Sequence, residues 1–373
     1  MALSKIDVGN MLTGLVPNDN TISRPLSKPI IINGNMAVAQ RGTSFSAVGD
    51  GVYTLDRYES AKNNDGAVTI TQEALTSGNA YTDGFRTALK VDVTTADGTL
   101  AGTQRFLVQQ IVEAQNLQSL KFGTANAEKL TLAFWVKATK TGTHIVRMFQ
   151  YDDDRSVSIA YTVNTTNTWE KKVMNFPADT TGVIDNNNGH GIQIAWAVGA
   201  GADFQSGTLA TAWAGNTSAN DFVGQVNGLD NTSNNFHLTG IQLEVGEFSS
   251  TTLPPFQHES FEDNFLRCLR YYQDDALYSS SGDTAVMEAL LTNDGANFRH
   301  LWKQFLVPMR AAPSTSDVIF RDDTGSSSAQ STQDDSQLRT VLSADLYGRG
   351  NVGSGDSDTN SIYYHGAKFD AEL

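Results

Sequence analysis

Residues 156–163 read SVSIAYTV, residues 191–198 read GIQIAWAV and residues 130–138 read LTLAFWVKA, and these three stretches decide the fold class. In each of them apolar side chains occupy every second position, which is the spacing of one face of a β-strand. The apolar positions are Val157, Ile159, Tyr161 and Val163, then Ile192, Ile194, Trp196 and Val198, then Leu130, Leu132, Phe134 and Val136. Trp135 falls on the other face of its strand. The alternation predicts strands with one buried face and one face toward water.

Similar short strands recur from about residue 31 to residue 256, separated by turns rich in Gly, Asn, Asp and Thr. This pattern is typical of an antiparallel sandwich or barrel. Two polar connections, residues 179–191 and 199–235, are longer than a hairpin requires, and loops of that length often carry function or form interfaces. Gly34 and Gly42 predict the limits of an edge strand, and Gly240 predicts a β-bulge that closes the sheet.

The spacing changes near residue 259, where apolar residues recur at helical intervals, at Phe261, Phe265, Leu269 and Tyr272. Ser260 is positioned as the N-cap, with Asp263 at the third helical position. The pattern predicts one amphipathic helix of a few turns. Cys268 lies on it, and we expect a buried, unreactive thiol there.

The C-terminal part predicts a second β region. Residues 284–292 and 298–309 form two candidate strands joined by a turn at 293–297, followed by strands near Val318 and over residues 362–373. Residues 326–337, SSSAQSTQDDSQ, are polar and of low complexity, which predicts a mobile surface loop.

Composition and net charge limit the classes of partner and site that the sequence predicts. The 373-residue chain has a formal net charge of -15 and a pI near 4.7, which makes nucleic acid and anionic membrane surfaces poor partners. Neither a secretory signal nor an apolar stretch of membrane-spanning length occurs, so we expect a protein made in the cytoplasm and not inserted in a membrane. The single Cys excludes an intrachain disulfide and a Cys-based zinc site.

The motifs of several enzyme classes are absent. The 6 His residues form no HxxxH or HxH arrangement, and GxSxG, GxxxxGK[ST] and strand-linked GxGxxG motifs do not occur. This pattern disfavours zinc enzymes, hydrolases of the GxSxG type, NTPases and dehydrogenases. We therefore expect a protein that is not an enzyme and has no cofactor.

Trp213 is a large aromatic among small residues in the second long connection. If exposed, it can stack on a sugar ring; alternatively, it plugs the end of the sandwich or an interface.

Asp185 and Asn187 are the other candidate ligand-binding residues, because their spacing suits oxygen ligands around calcium. Gly189 falls one position early for a helical calcium loop and the required Glu is missing, so an Asx-rich turn is the alternative and no metal site is predicted. Glu244 and Glu247 are the simplest carboxylate pair for glycoside hydrolysis, with outward, solvated carboxylates as the alternative.

Several strings, taken in order, resemble a family of bacteriophage tail-fibre and related virion proteins. They are INGNMAVAQRGTSF at 32–45, LTLAFWVKATKTG at 130–142, TWEKKVMNFPADTTG at 168–182, HLTGIQLEVGEF at 237–248, EDNFLRCLRYYQ at 262–273 and the terminal FDAEL. The resemblance implies a jelly-roll sandwich similar to carbohydrate-binding modules, then the helix and a smaller C-terminal β domain. It transfers no catalytic residues.

Together these inferences divide the chain into an N-terminal arm or docking segment (1–30), a jelly-roll sandwich (31–258), a connecting helix (259–275) and a C-terminal β domain (276–373). The function they predict is that of a structural protein on the virion, a tail fibre or similar appendage, contributing to host adsorption. The expected partners are other virion proteins, further copies of the chain, with a trimer favoured, and host surface glycan. An adaptor or head decoration without host binding is the first alternative, and a tailspike-like glycan depolymerase the second.

Overall fold

A computed structural model describes residues 28–274, 287–288, 290–291, 298–322, 340–349 and 362–373. The predicted N-terminal arm, apart from its last three residues, and the polar stretch 326–337 lie outside the described residues.

The described strands, in chain order, are β1 Ser44–Phe45, β2 Val52–Tyr53, β3 Glu59–Lys62, β4 Ala67–Ala74, β5 Thr87–Thr95, β6 Arg105–Glu113, β7 Leu130–Ala138, β8 Gly142–Gln150, β9 Arg155–Val163, β10 Glu170–Phe176, β11 His190–Ala200, β12 Ala214–Gly215, β13 Asn235–Val245, β14 Tyr272–Asp274, β15 Met287–Glu288, β16 Leu290–Leu291, β17 Phe298–Gln304, β18 Ser314–Asp322, β19 Ser343–Arg349 and β20 Ile362–Asp370. The described α-helices are α1 Asn79–Thr82 and α2 Phe261–Leu269, and short 3₁₀ turns occupy Ala114–Leu120, Ala202–Phe204 and Ser218–Asn220. None of these helices is long and apolar enough to cross a membrane.

Two antiparallel sheets form the sandwich. In the described residues the six-stranded sheet has the order β1-β4-β5-β13-β7-β10, and the seven-stranded sheet has the order β12-β9-β8-β11-β6-β3-β2. Their inward faces meet in one core, where the ring of Phe134 packs edge-on against Trp196 at 5.7 Å and Tyr161 at 5.2 Å. The predicted fold class is confirmed: a mainly β chain with an antiparallel jelly-roll sandwich, then one helix and further β structure.

The alternating strands bury the faces that their sequences predicted. Phe134 in β7 and Trp196 in β11 are fully buried. Some outward positions are buried as well, among them Ala195 and Ala197 of β11. Residues 202–226 cross the outward face of β11 and pack Phe222 on these alanines.

Gly240 lies in the predicted bulge. The register between β13 and β7 shifts between Thr239 and Gln242, and Gly240 has a φ of 61°. A Cβ on Gly240 would lie 2.6 Å from the ring of Phe85, so a larger residue does not fit there without rearrangement.

The predicted edge strand between Gly34 and Gly42 is wrong, because the described strands begin at Ser44. The backbone of Ile32 instead exchanges hydrogen bonds with the Gln110 side chain, and the Asn33 side chain bonds to both the N–H and the C=O of Val38. These side chains take the place of a neighbouring strand.

Helix α2 begins as predicted. The Ser260 hydroxyl accepts a hydrogen bond from the N–H of Asp263. Leu269 and Tyr272 of the predicted apolar stripe are buried, and so are Asn264 and Cys268, whereas Phe261 is 57% exposed. The Asn264 side chain docks the helix by accepting a hydrogen bond from Asn33 N–H at 3.1 Å. Cys268 is fully buried, and burial raises the pKa of its thiol.

The C-terminal part forms two small sheets. β20 pairs with β14, β15 and β18, and β17 pairs with β16 and β19. The hairpin of β16 and β17 agrees with the predicted pairing, but β17 ends at Gln304, short of residue 309, and β19 was not predicted. The last residues pack on the sandwich through ion pairs of Glu372 with the fully buried Arg57 and with Arg41.

Candidate functional site

Four polar side chains line up across the outward face of the seven-stranded sheet. Glu59, Gln109, Gln193 and Arg147 come from β3, β6, β11 and β8, which are consecutive neighbours in that sheet. We call these four residues the polar row. Neighbouring strands lie about 4.8 Å apart, so the row extends about 14 Å across the strands.

The polar row is linked by side-chain hydrogen bonds. The amide nitrogen of Gln109 donates to Oε2 of Glu59 at 2.8 Å, and the amide nitrogen of Gln193 donates to Oε1 of Gln109 at 2.8 Å. Nη2 of Arg147 donates to Oε1 of Gln193 at 2.6 Å. Because each group holds the next, their donors and acceptors are oriented before any ligand arrives.

A buried ion pair limits the row at the Arg147 end. Nη1 of Arg147 donates to Oδ2 of Asp221 at 2.5 Å, and both side chains are nearly inaccessible to solvent. Burial raises the pKa of Asp221, and the charge of Arg147 opposes this effect. Asp221 belongs to residues 202–226, which cover one half of the outward sheet face through Phe222 and neighbouring apolar residues. The ion pair therefore fastens this covering segment beside the row.

Two aromatic side chains flank the row on its uncovered side. Phe149 and Tyr151 are half-buried, and their ring centroids are 4.9 Å apart in an edge-on arrangement. The Tyr151 hydroxyl accepts a hydrogen bond from Gln193 at 3.2 Å, and the guanidinium of Arg147 lies 5.1 Å from the Phe149 centroid. Partly open rings beside fixed amide, hydroxyl and carboxylate groups can bind the two surfaces of a sugar, its apolar C–H face and its hydroxyls.

The charges of this face are mixed. Burial raises the pKa of Glu59, the hydrogen bond from Gln109 opposes the rise, and the nearby Asp50 adds to it. Burial lowers the pKa of Arg105, and the charge of Arg147 lowers it further. The row thus carries a carboxylate at one end and the guanidinium of Arg147 at the other, and Arg105 lies on β6 between them.

Trp213 is not the exposed aromatic that sugar stacking requires. Its side chain packs edge-on against Phe122 with centroids 5.6 Å apart, and its Nε1 donates to the carbonyl of Pro177 at 2.8 Å. The residue is only 8% exposed. This is a correction to the first interpretation: the ring fills the edge of the core because the apolar interior accepts it and Pro177 satisfies its N–H.

Asp185 and Asn187 lie in the connection between β10 and β11. The side-chain oxygen of Asn187 accepts a hydrogen bond from Gly189 N–H at 2.7 Å, which is the geometry of an Asx turn, and its nitrogen lies 3.3 Å from Asp185. Across the described part of the chain, no group of three or more His, Cys, Asp or Glu side chains is arranged to hold a metal. Ligand binding by Asp185 and Asn187 stays a prediction, and neither hydrogen-bonds to the polar row.

Glu244 and Glu247 are not paired with each other. Glu247 pairs with Lys129 at the surface, while Glu244 accepts a hydrogen bond from Gln242 and burial raises its pKa. They lie in and just beyond β13, in the sheet opposite the polar row.

Sequence reasoning missed the polar row. Its residues occupy the outward positions of alternating strands, where polar side chains are expected for solvation alone. The usable signal was the presence of amides and an Arg at these positions, in RFLVQQIVE (β6), GTHIVRMFQ (β8) and HGIQIAWAVGA (β11).

No family model and no curated protein matches the chain. Among solved structures, a putative sugar binding protein from Bacteroides thetaiotaomicron is similar at 13% identity and a TM-score of 0.32, covering 58% of this chain and 100% of that chain. A family 11 carbohydrate-binding module from Clostridium thermocellum, in complex with a β-1,3-1,4-mixed-linked tetrasaccharide, is similar at 12% identity and a TM-score of 0.26, covering 57% and 99%.

The enzymatically active domain of tailspike protein 4 of bacteriophage CBA120 is similar at 13% identity and a TM-score of 0.30, covering 54% of this chain. The match spans 21% of that tailspike chain. These are similarities of architecture alone. The evidence for the candidate site comes from the residues of this chain.

Proposed function

We propose that this chain binds a glycan on the outward face of its seven-stranded sheet, without catalysis, as part of a bacteriophage surface appendage of the tail-fibre type. The observation that carries the binding proposal is the polar row with Phe149 and Tyr151 beside it. The order of the resembling sequence strings supports the placement on a virion.

The geometry of the row suits an extended ligand. Its hydrogen-bonding groups come from four neighbouring strands, so a chain of sugars lying across the strands meets several of them at once. The amide nitrogen of Gln109 carries a second hydrogen besides the one that it donates to Glu59, and hydroxyl groups can both donate and accept, so the two partners are complementary. Because the side chains are already held in place, little conformational entropy is lost on binding.

Absence of catalysis is part of the proposal. Hydrolysis of a glycosidic bond needs two carboxyl groups about 5 to 10 Å apart on opposite sides of that bond. The row itself offers one carboxyl group, that of Glu59. Of the two other carboxylates on this face, Asp221 is buried and committed to Arg147, and Asp50 accepts the backbone N–H of Lys62. Host polysaccharide is therefore bound and left intact.

The binding test uses the whole chain on a panel of bacterial surface polysaccharides, followed by calorimetry on any that bind. Gln193→Ala removes the centre of the row, and we expect affinity to fall at least tenfold, which corresponds to about 1.4 kcal/mol. Gln242→Ala is the matched control: this glutamine is equally buried, bonds to Glu244 and Pro254, and lies in the opposite sheet. Both variants lose hydrogen bonds, so they share a stability cost of about 1–3 kcal/mol while only Gln193→Ala weakens binding.

Equal affinity loss in the two variants would assign the effect to instability and overturn the site. The virion placement is tested by a cryo-EM map of the particle with this chain traced in it. A position at a fibre or tail tip with the polar row outward agrees with host adsorption. A polar row covered by neighbouring virion proteins would make the chain an adaptor.

A further inference from the structure

Arg105 is a cation without a committed anion. It begins β6 on the same outward face as Gln109, and its guanidinium lies 4.9 Å from the ring centroid of Phe204 in the covering segment. Among the described residues it forms no ion pair with an Asp or Glu, whereas Arg147 and Arg155 each pair with a carboxylate.

Arg105 lies on the same strand and the same face as Gln109 of the polar row, with Leu107 between them. Its charge interacts with those of Arg147, Asp221 and Asp50 and with the Tyr151 hydroxyl, the group that accepts a hydrogen bond from Gln193. The two carboxylates in this set have other partners. Asp221 holds Arg147 at 2.5 Å, and Asp50 accepts the N–H of Lys62 at 2.7 Å.

A ligand that extends from the polar row along β6 removes water from Arg105. Covering a guanidinium without supplying an anion carries a desolvation cost, and an anionic group on the ligand offsets that cost. Arg also presents parallel N–H donors that match the oxygens of a carboxylate or phosphate.

We propose that the glycan bound by this face carries an anionic substituent, a carboxylate or a phosphate, that pairs with Arg105. This inference rests on the proposed function and names its ligand class. Glu59, on the neighbouring strand β3, repels a second negative charge placed beside it, so the binding face selects one anionic unit at Arg105 and a neutral sugar over Glu59.

The net charge of -15 does not oppose this pairing at contact distance. The Debye length is about 8 Å at physiological ionic strength, so the repulsion from most of the surface is screened. Salt also weakens the Arg105 contact itself, and the two effects run in opposite directions. The dependence of affinity on salt therefore does not test the pairing. The affinity for a ligand from which the anionic charge has been removed does test it.

The experiment uses acidic bacterial polysaccharides in matched forms, with the intact chain as the binder. Carboxylate-bearing members are compared with their carboxyl-reduced forms, and phosphate-bearing members with their dephosphorylated forms. We expect at least tenfold tighter binding to the charged form of one class, and the pair that shows it identifies the anion. Arg105→Gln is expected to remove that preference.

Arg86→Gln is the matched control, because Arg86 also lies over an aromatic ring, Tyr81 at 4.0 Å, without an ion pair in the described residues. Arg86 borders the opposite sheet, so the preference should survive in this variant. Equal binding of charged and neutralised forms, with a loss in Gln193→Ala, overturns this inference and leaves the proposed glycan site standing. If no polysaccharide of the panel binds, both this inference and the proposed glycan site are overturned.

Discussion

The outward faces of the two sheets use their polar residues differently. On the six-stranded sheet, charged side chains pair with one another: Glu73 contacts Lys137 and His237, and Lys171 pairs with Asp83. On the seven-stranded sheet, amides join a carboxylate to a guanidinium in the polar row, and Arg105 has no carboxylate partner among the described residues. Groups that satisfy each other need no ligand, whereas Arg105 on the seven-stranded sheet keeps its N–H donors for one.

Aromatic residues are buried to different extents on the two sheets, and Trp135 on the six-stranded sheet is half-buried. Trp169 on the six-stranded sheet is buried in a local cluster with Phe85 and Leu75, and Lys137 lies over its ring. Phe149 and Tyr151 on the seven-stranded sheet keep part of their rings open. Burial of aromatic surface stabilises the fold, and open aromatic surface is the part that remains for recognition.

The largest expected difference between the sheets lies in their ion pairs. Arg147→Met keeps an unbranched side chain but removes the guanidinium and leaves Asp221 buried without a partner, so we expect a loss of about 3–5 kcal/mol in the free energy of unfolding. Lys171→Met removes an exposed pair with Asp83 and should cost about 1 kcal/mol or less. Urea denaturation of both variants measures this difference in the free energy of unfolding.

The double variant Arg147→Met/Asp221→Leu replaces both partners by apolar groups and should recover much of the loss. A loss below about 1 kcal/mol in Arg147→Met would contradict the view that this pair fastens residues 202–226 to the sheet.

An intermediate effect is expected for the half-exposed aromatics. Phe149→Ala should weaken the proposed glycan binding about tenfold, because it removes a half-buried ring that packs against Tyr151 beside the polar row. Trp135→Ala is the comparison on the six-stranded sheet, where Nε1 of Trp135 donates to Asp83 at 3.0 Å. It should leave the affinity unchanged. Calorimetry with the same polysaccharide compares the affinities of the two variants. A larger affinity loss for Trp135→Ala would mean that the site lies on the other sheet.

The smallest expected effect concerns how stability depends on pH. The contributions of Glu170 and Glu59 to the free energy of unfolding change with pH in opposite directions. Burial opposes the shift of Glu170 on the six-stranded sheet, but hydrogen bonds from Lys172 and from the backbone N–H groups of residues 164 and 165 lower its pKa to about 2. A carboxyl group whose pKa is lowered by folding stabilises the folded state at pH values above the ordinary pKa of Glu. That contribution disappears as the pH falls through about 2. Glu170→Gln should therefore cost about 1 kcal/mol at neutral pH and much less at the acidic end.

Burial raises the pKa of Glu59 in the polar row, so its ionised form is disfavoured in the folded state and stability falls as pH rises through the ordinary Glu range. Glu59→Gln should be neutral or slightly stabilising at neutral pH while weakening glycan binding. Thermal melting at several pH values checks both signs. A destabilised Glu59→Gln protein would mean that the carboxylate serves the fold rather than a ligand.

Local patterns predicted some features well. The alternation in β7, β9 and β11 identified the buried faces, because side chains of a strand point to opposite sides whatever surrounds it. Ser260 and Gly240 were also identified, because an N-cap and a bulge depend on residues close in sequence. Phe261 was placed wrongly, since helical spacing gives a stripe but does not say which side of the helix meets the sandwich.

By itself the sequence determined the β-sandwich class, the single capped helix after it and the burial of Cys268, since these follow from side-chain spacing and hydrophobicity. Only the tertiary structure decided that Trp213 is covered, that residues 202–226 close half of one sheet face, and that Gln109, Gln193, Arg147 and Glu59 meet on the other half. These residues are as far as 134 positions apart in the chain, from Glu59 to Gln193. Their contact depends on strand order and register, which long-range pairing sets and local spacing does not encode.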